Sequence, residues 1–293
     1  MRKPFRFGVV SSGASSYKAW VTLARRAEEL GYASLLMPDR LATPLAPFTA
    51  LALAAEATTT LRVGSHVFAN DYRHPVMLAK EAATLDLLSH GRFELGLGAG
   101  VGQPDYQQMG LPLESAGTRV SRVEEALHII KQFFTEEVVN FSGKYYTITD
   151  LRGLPKPIQK PHPPIFIGSM GKRMLSIAAR EADSIAPEIR PTPPGSNEAD
   201  APIEEKLAWI REAAGERIEQ VELCQTIYSI VITDSRSEAV PQPWSSLQRQ
   251  EMSTEQAIAH LQEQHERYGF SYFHVFEGQM ENIAPVVARL AGK

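Results

Sequence analysis

Cysteine is nearly missing from this chain: Cys224 is the only one in 293 residues. A single thiol closes no intrachain disulfide, and no zinc site can draw more than one thiolate from it. No pair of histidines stands at i, i+4 beside a carboxylate, so no metal is expected. There is no G-x-S-x-G nucleophile elbow. Charge of one sign does not accumulate either. Thirty Lys and Arg stand against 34 Asp and Glu, for a net charge of −4, and the basic residues are spread along the chain. A nucleic-acid partner would want a basic face, so none is expected. No apolar run approaches the roughly 18 residues that span a bilayer. The opening "MRKPFRFGVV" passes straight into a strand pattern with no apolar signal core. These absences predict no membrane partner and a cytoplasmic location. No short repeat of solenoid type is found.

What is present is an alternation of strands and helices. Hydrophobic residues make up 43% and charged residues 22%, ample material for a core. Strands are read at 5–11, 33–38, 61–69 and 92–99. Ser16 is placed to cap a first helix whose Trp20, Val21, Ala24 and Ala27 share one face. Helices are read at 50–58, from Pro75, and through Val120 to Phe134. Short buried strands joined by helices imply parallel pairing, because the crossover needs a dozen or more residues. Five prolines between 155 and 164 then break the rhythm, after a short hairpin pattern. It resumes with strands at 164–169, 184–187, 220–232 and 271–277 and helices through Arg180, at 203–213, at 254–268 and around Val286, Val287 and Leu290. The total is about eight βα units, the number that closes a TIM barrel. One α/β domain over 1–293 is expected, a (β/α)8 barrel with excursions after helix 4 and strand 6, at about 136–163 and 188–203.

The stretch "GRFELGLGAGVG" places glycine at Gly96, Gly98, Gly100 and Gly102. A dinucleotide fingerprint needs glycines at positions one, three and six, and no starting point here supplies the third. Period two puts these glycines on one face of a strand and its exit. Two readings fit: small residues packing a tapering barrel interior, or backbone against which a flat ligand lies at the strand's carboxyl end.

A phosphate site reads better in "IFIGSMGKRMLSIAAREAD". A strand leads through a turn with Gly168 and Gly171 to a helix N-terminus, where free N–H groups suit an anion. Lys172 and Arg173 in its first turn oppose the helix dipole, a placement that makes sense beside an anion.

Together "LARRAEELGYASLLMPDR", "RHPVMLAKEAATLDLLSHGRFELGLGAG" and "PPIFIGSMGKRMLSIAAREAD" resemble the bacterial luciferase-like flavin and deazaflavin oxidoreductases, and within them the branch that uses coenzyme F420. The resemblance is dense from residue 5 to about 187 and diffuse beyond. It implies a (β/α)8 barrel that moves a hydride between F420 and a small organic substrate. The alternatives are an FMN-dependent monooxygenase on the same barrel and a non-catalytic flavin-binding relative. It also implies a bulge with a non-proline cis peptide at His66-Val67, with Ala69 and Asn70 beside it. The phosphate loop is then Gly168, Ser169, Met170, Gly171 and Lys172, and the ring's other side is Gly98, Ala99 and Gly100.

One position departs from the family. Asp-His is common after the second strand, and here the pair is Asp39-Arg40. Arginine stays charged and is no general base near neutrality. Arg40 suits anchoring an acidic group or a reduced, anionic ring, or forming an ion pair with Asp39. His66 is the first candidate proton donor. His74, before a proline at a helix start, reads as structural, and His162 as surface. A homodimer is expected through "PFTALALAAEATTT" and "PVMLAKEAATLDLL", which are apolar around most of their circumference.

Overall fold

The computed structural model describes residues 3–100, 102–189, 200–228, 230–233 and 250–293. Eight strand positions close into a parallel ring. β1 (Arg6–Val10) lies between β2 (Ser34–Met37) and β13 (Phe270–Phe276). β2 pairs with β3 (Arg62–Ser65), and β3 with β5 (Phe93–Gly98). The ring continues through β8 (Ile165–Ser169), β9 (Ser184–Pro187) and β10 (Glu222–Ile227) back to β13. This is the TIM barrel that the alternation predicts.

The helices form because each has a face to bury and a way to start. In α1 (Tyr17–Glu29) the Ser16 side chain accepts the Ala19 N–H at 3.2 Å, and Trp20, Val21, Ala24 and Ala27 are the buried face. α2 (Pro47–Ala57) and α3 (Pro75–Leu88) each open on proline, whose missing N–H costs nothing in a first turn. α2 therefore begins at Pro47 rather than Ala50. A helix not foreseen, α4 (Gln103–Met109), follows β5 and precedes α5 (Ala116–Thr135). The outer layer is completed by α6 (Lys172–Glu181), α7 (Ile203–Ala214), α8 (Thr254–Tyr268) and α9 (Met280–Leu290).

Charged side chains close the amino end of the barrel. Arg6 holds Glu94 and, at 2.7 Å, Glu222, while Arg62 reaches the same Glu94 and Tyr272 donates to it at 3.1 Å. Burial alone would push the Glu94 carboxyl up, but the two guanidinium groups outweigh it and hold it below its ordinary range.

Two expected strands are interrupted. The third strand stops at Ser65 and resumes as β4 (Phe68–Ala69), with a cis peptide at His66-Val67 between them. Gly64 sits opposite Glu94 and Phe68 opposite Leu97, so this strand carries one residue more than its partner, a bulge. The seventh ends at Ile227, and a separate β11 (Ile230–Ile232) pairs with β12 (Gln250–Met252).

The excursion after α5 holds the expected hairpin, β6 (Val139–Ser142) with β7 (Thr147–Leu151). Glu125 of α5 fastens its turn by accepting the N–H groups of Lys144, Tyr145 and Tyr146 at 2.8, 2.9 and 3.1 Å. Of the excursion expected at 188–203, residues 190–199 lie outside the described residues. No helix among the described residues is long and apolar enough to cross a membrane.

Candidate active site

At the carboxyl end of the barrel the strand ends of β2, β4, β5 and β8 and the first turns of α5 and α6 enclose a cavity of about 540 Å³. The glycine-rich stretch is one wall. A Cβ on Gly98 would stand 2.7 Å from Val67 Cγ2, and one on Gly96 would run into the Ser65 carbonyl. The period-two glycines thus make room for the bulge of the neighbouring strand, which brings His66 and Val67 to the cavity edge. Gly100 has φ +79°, a left-handed conformation, and its carbonyl accepts from Arg119.

The opposite end is formed by the glycine turn at 168–171 and two helix starts. Gly168 faces inward, since a Cβ there would lie 3.5 Å from Phe166 Cζ and 3.7 Å from Glu188 Cγ, and a Cβ on Gly171 would meet open space. Gly171 also caps α6 with no side-chain hydrogen bond, and the first turn carries no acid. Ala116 and Gly117 bring the start of α5 to the same cavity. Two helix N-termini therefore converge there, each with unpaired N–H groups and the positive end of its dipole. Arg173 joins them by donating to the Gly117 carbonyl at 3.0 Å and to Ser121 Oγ at 2.8 Å.

Asp39 and Arg40 do not pair with each other. Asp39 is buried and takes both prongs of the Arg73 guanidinium, together with the Ala69 N–H at 3.1 Å. Arg40 donates Nε to Asp105 of α4. Neighbouring residues in an extended segment project to opposite sides, so adjacency in sequence does not bring them together. Asp39 thereby ties the end of β2 to β4, and Arg40 fastens the α4 segment while its guanidinium borders the cavity.

His66 stacks on Phe166, with ring centres 5.2 Å apart, and meets His274 edge to face at 4.9 Å. Its Nε2 is buried and has no partner among the described residues. Burial lowers the His66 pKa below the ordinary histidine range, against the opposing charge of Glu188, which favours the neutral ring. His274 lies deeper, fully buried, and among the described residues neither ring nitrogen has a partner. Burial first, then His66 and Arg6, drive its pKa well down.

Every residue expected at the cofactor or the reaction borders this cavity except Asn70 and Lys172. Asn70 is buried and donates to Tyr146 of the hairpin at 3.1 Å. Lys172 lies with its ammonium 5.7 Å from the Trp209 ring centre, on the α7 side. Its long flexible stem follows that cation–π contact rather than the expected anion site. His74 caps α3, its Nδ1 accepting the Val76 N–H. His162 is half-buried rather than at the surface, with Nδ1 3.0 Å from the Pro163 carbonyl. Sequence reasoning missed Arg119 and the start of α5. The visible signal was Ser115, which accepts the Thr118 N–H at 3.2 Å as the helix cap. No cluster of three or more His, Cys, Asp or Glu that could hold a metal occurs among the described residues.

This site can be set beside known proteins. The profile of the luciferase-like monooxygenase family matches residues 3–271. The chain is 30% identical over 171 residues to the F420-dependent glucose-6-phosphate dehydrogenase of Amycolatopsis mediterranei, covering 56% of this chain and 51% of that one. The curated relatives it matches are spanned over about half to two thirds of their length. Among solved structures, the coenzyme F420-dependent tetrahydromethanopterin reductase of Methanopyrus kandleri superposes with a TM-score of 0.80 at 18% identity, covering 98% of this chain and all of that one (100%). A monooxygenase of Streptomyces bottropensis gives 0.75 at 19% identity, covering 97% of each chain. At these identities the structural matches speak for the fold alone.

Proposed function

The chain belongs to the luciferase-like monooxygenase family, and from that premise we propose that it is an oxidoreductase dependent on coenzyme F420, moving a hydride between that deazaflavin and a small organic substrate. The observation that carries this reading is the 30% identity to an F420-dependent dehydrogenase, joined to a cavity whose residues fit such a group. The inward face of Gly168 leaves space that a side chain would fill. Two helix N-termini suit a phosphate-bearing tail, and the bulge at His66-Val67 with Gly98 offers a flat wall for a ring.

When bound, the deazaflavin supplies a carbon centre that gives or takes hydride without ordinary flavin–oxygen chemistry. The chain's own residues do the rest. The loop 168–171 and the starts of α5 and α6 hold the anionic tail. His66 carries the proton: its ring borders the cavity, and the neutral form that burial favours takes a proton from the substrate in one direction and returns it in the other. Arg40 and Arg119 place positive charge beside a ring that becomes anionic on reduction.

An FMN-dependent monooxygenase is the second reading, kept open by the family itself, whose model is that of luciferase-like monooxygenases. A non-catalytic flavin-binding relative is the third, resting on Arg40 in place of the family's histidine. Oxygen uptake with reduced FMN separates the first two: substrate-dependent consumption supports the monooxygenase, and its absence alongside F420-dependent turnover supports the dehydrogenase. Turnover with neither cofactor, despite binding, supports the third.

The protein works as a homodimer in this proposal, through α2 and α3. Between them lies an apolar groove of about 340 Å³ bordered by Phe48, Ala52, Met77 and Leu88. Met77 is 52% and Leu88 64% exposed in the single chain, an apolar surface that a second copy would cover.

A further inference from the structure

Beside the loop at 168–171 the barrel wall carries a carboxylate. Glu188 follows β9, and its backbone is fixed from two sides. Its N–H donates to the Ser169 carbonyl at 2.9 Å, and its own carbonyl accepts Lys206 Nζ at 2.6 Å. Its side chain meets two hydroxyl groups of β10 and the residue after it: Thr226 Oγ1 donates to Oε1 at 2.6 Å, and Tyr228 OH donates to Oε2 at 2.7 Å. Burial and the Glu188 charge both push the Tyr228 hydroxyl up, so it remains a donor.

Both donors are neutral. Among the described residues no lysine or arginine side chain pairs with this carboxylate, and the nearby Lys206 ammonium is spent on Asp200. A carboxylate accepts about four hydrogen bonds, so beyond these two donors Glu188 keeps acceptor capacity.

The space in front of it has a distinct character. β9 and β10 pair only at Ser184–Glu222 and Ile185–Leu223, so their carboxyl ends part. A cavity of about 270 Å³ opens there, bordered by Glu188, Gln264 and His260 together with apolar side chains such as Ile203, Leu261 and Phe270. Tyr228 also packs against Phe276, ring centres 5.8 Å apart. One carboxylate in a small, largely apolar space suits an amine that carries an apolar group. Glu188 also lies against Gly168, so this space adjoins the cofactor cavity.

We propose that Glu188, held by Thr226 and Tyr228, anchors the protonated amine of a small ligand in the cavity between the ends of β9 and β10. Calling that ligand the substrate rests on the oxidoreductase reading; the amine site itself does not. A phosphorylated sugar, the substrate class named for the Amycolatopsis mediterranei relative, would face repulsion here.

The test is calorimetric titration of the full chain, without cofactor, with benzylamine and with its near-isostere benzyl alcohol at pH 7.5. Benzylamine is expected to bind at least tenfold more tightly, and Glu188→Gln to lose at least tenfold of the amine affinity while leaving that for the alcohol unchanged. Equal affinity for amine and alcohol in the parent, or unchanged amine affinity in a folded Glu188→Gln, overturns the proposal. Should Glu188→Gln fail to fold by circular dichroism, the parent's amine-to-alcohol ratio decides alone. F420 and FMN titrations run in parallel separate the two claims. Amine selectivity without binding of either cofactor upholds the amine site and removes the oxidoreductase reading.

Discussion

The Asp39 carboxylate grips the Arg73 guanidinium with both oxygens, the Nη2–Oδ1 distance being 3.0 Å, and accepts the Ala69 N–H as well. The acid that sequence reasoning places in the reaction thus spends its lone pairs on joining the second strand to the third. Asp39→Ala leaves the half-buried Arg73 with Glu81 at 3.7 Å and is expected to cost about 2 kcal/mol of stability, read by urea unfolding. Arg40→Ala leaves the buried Asp105 carboxylate, among the described residues, with the Tyr72 hydroxyl at 3.5 Å and should cost about as much. A loss under about 0.5 kcal/mol in either variant would contradict these pairings.

Two glycines separate folding from binding. A Cβ on Gly96 meets the Ser65 backbone, which cannot swing aside, whereas one on Gly168 makes ordinary contacts with Phe166 and Glu188. Gly96→Ala should lose about 3 kcal/mol. Gly168→Val should keep the parent's melting temperature within a few degrees and weaken cofactor binding at least tenfold. Unchanged cofactor affinity in folded Gly168→Val would remove the anion site from the loop at 168–171.

The barrel was legible in the sequence, because alternation of strand and helix is a local pattern and the number of units sets the closure. The glycine turn and helix start at 168–172 were legible for the same reason: they are contiguous in sequence. What could not be read were pairings across the chain. Asp39 finds Arg73 34 residues away, and Arg40 finds Asp105 65 residues away. The glycines at 96 and 98 answer to a bulge on another strand, a reason that no pattern within their own strand contains. Lys172 stood in the right turn, but its long stem carried the charge to Trp209.

Buried histidines set an acid limit on stability. His66 and His274 both have folded-state pKa values below the ordinary histidine value of 6.5, with burial the first cause in each. The unfolded chain therefore takes up protons first, and the stability present above about pH 6.5 drains as pH falls below it. His274→Leu removes one proton acceptor. It should flatten the dependence between pH 6.5 and 5 in thermal melts. A variant as acid-sensitive as the parent would rule out His274 as a source.

A second acid response lies lower. Glu28 of α1 accepts the N–H groups of Thr59, Thr60 and Leu61 at 2.9, 2.6 and 2.9 Å. Burial works upward on this carboxyl, but the bonds from Thr60, Leu61 and Thr59 outweigh it and lower it to about 2 from 4.5. A depressed carboxyl contributes above its unfolded pKa, so this stability is present above pH 4.5 and lost between 4.5 and about 2. Glu28→Gln should cost about 1 kcal/mol at pH 7, an amount reduced by the site's partial exposure, and show a shallower decline across that window. An unaltered acid limb would contradict the assignment.

The dimer proposal is tested by charge at its centre. Met77→Glu with Leu88→Glu places two carboxylates on the exposed apolar face of α3. Light scattering should give twice the chain mass of 32.4 kDa for the parent and the single-chain mass for the double variant. A parent that is monomeric at micromolar concentration would contradict it.

The most direct test of the central claim is titration of the apo-protein with F420 and with FMN under one buffer. Saturable F420 binding at least tenfold tighter than FMN is expected, weakened at least tenfold by Gly168→Val. FMN binding tighter than F420, together with substrate-dependent oxygen consumption by the reduced FMN complex, would contradict it and establish the monooxygenase instead.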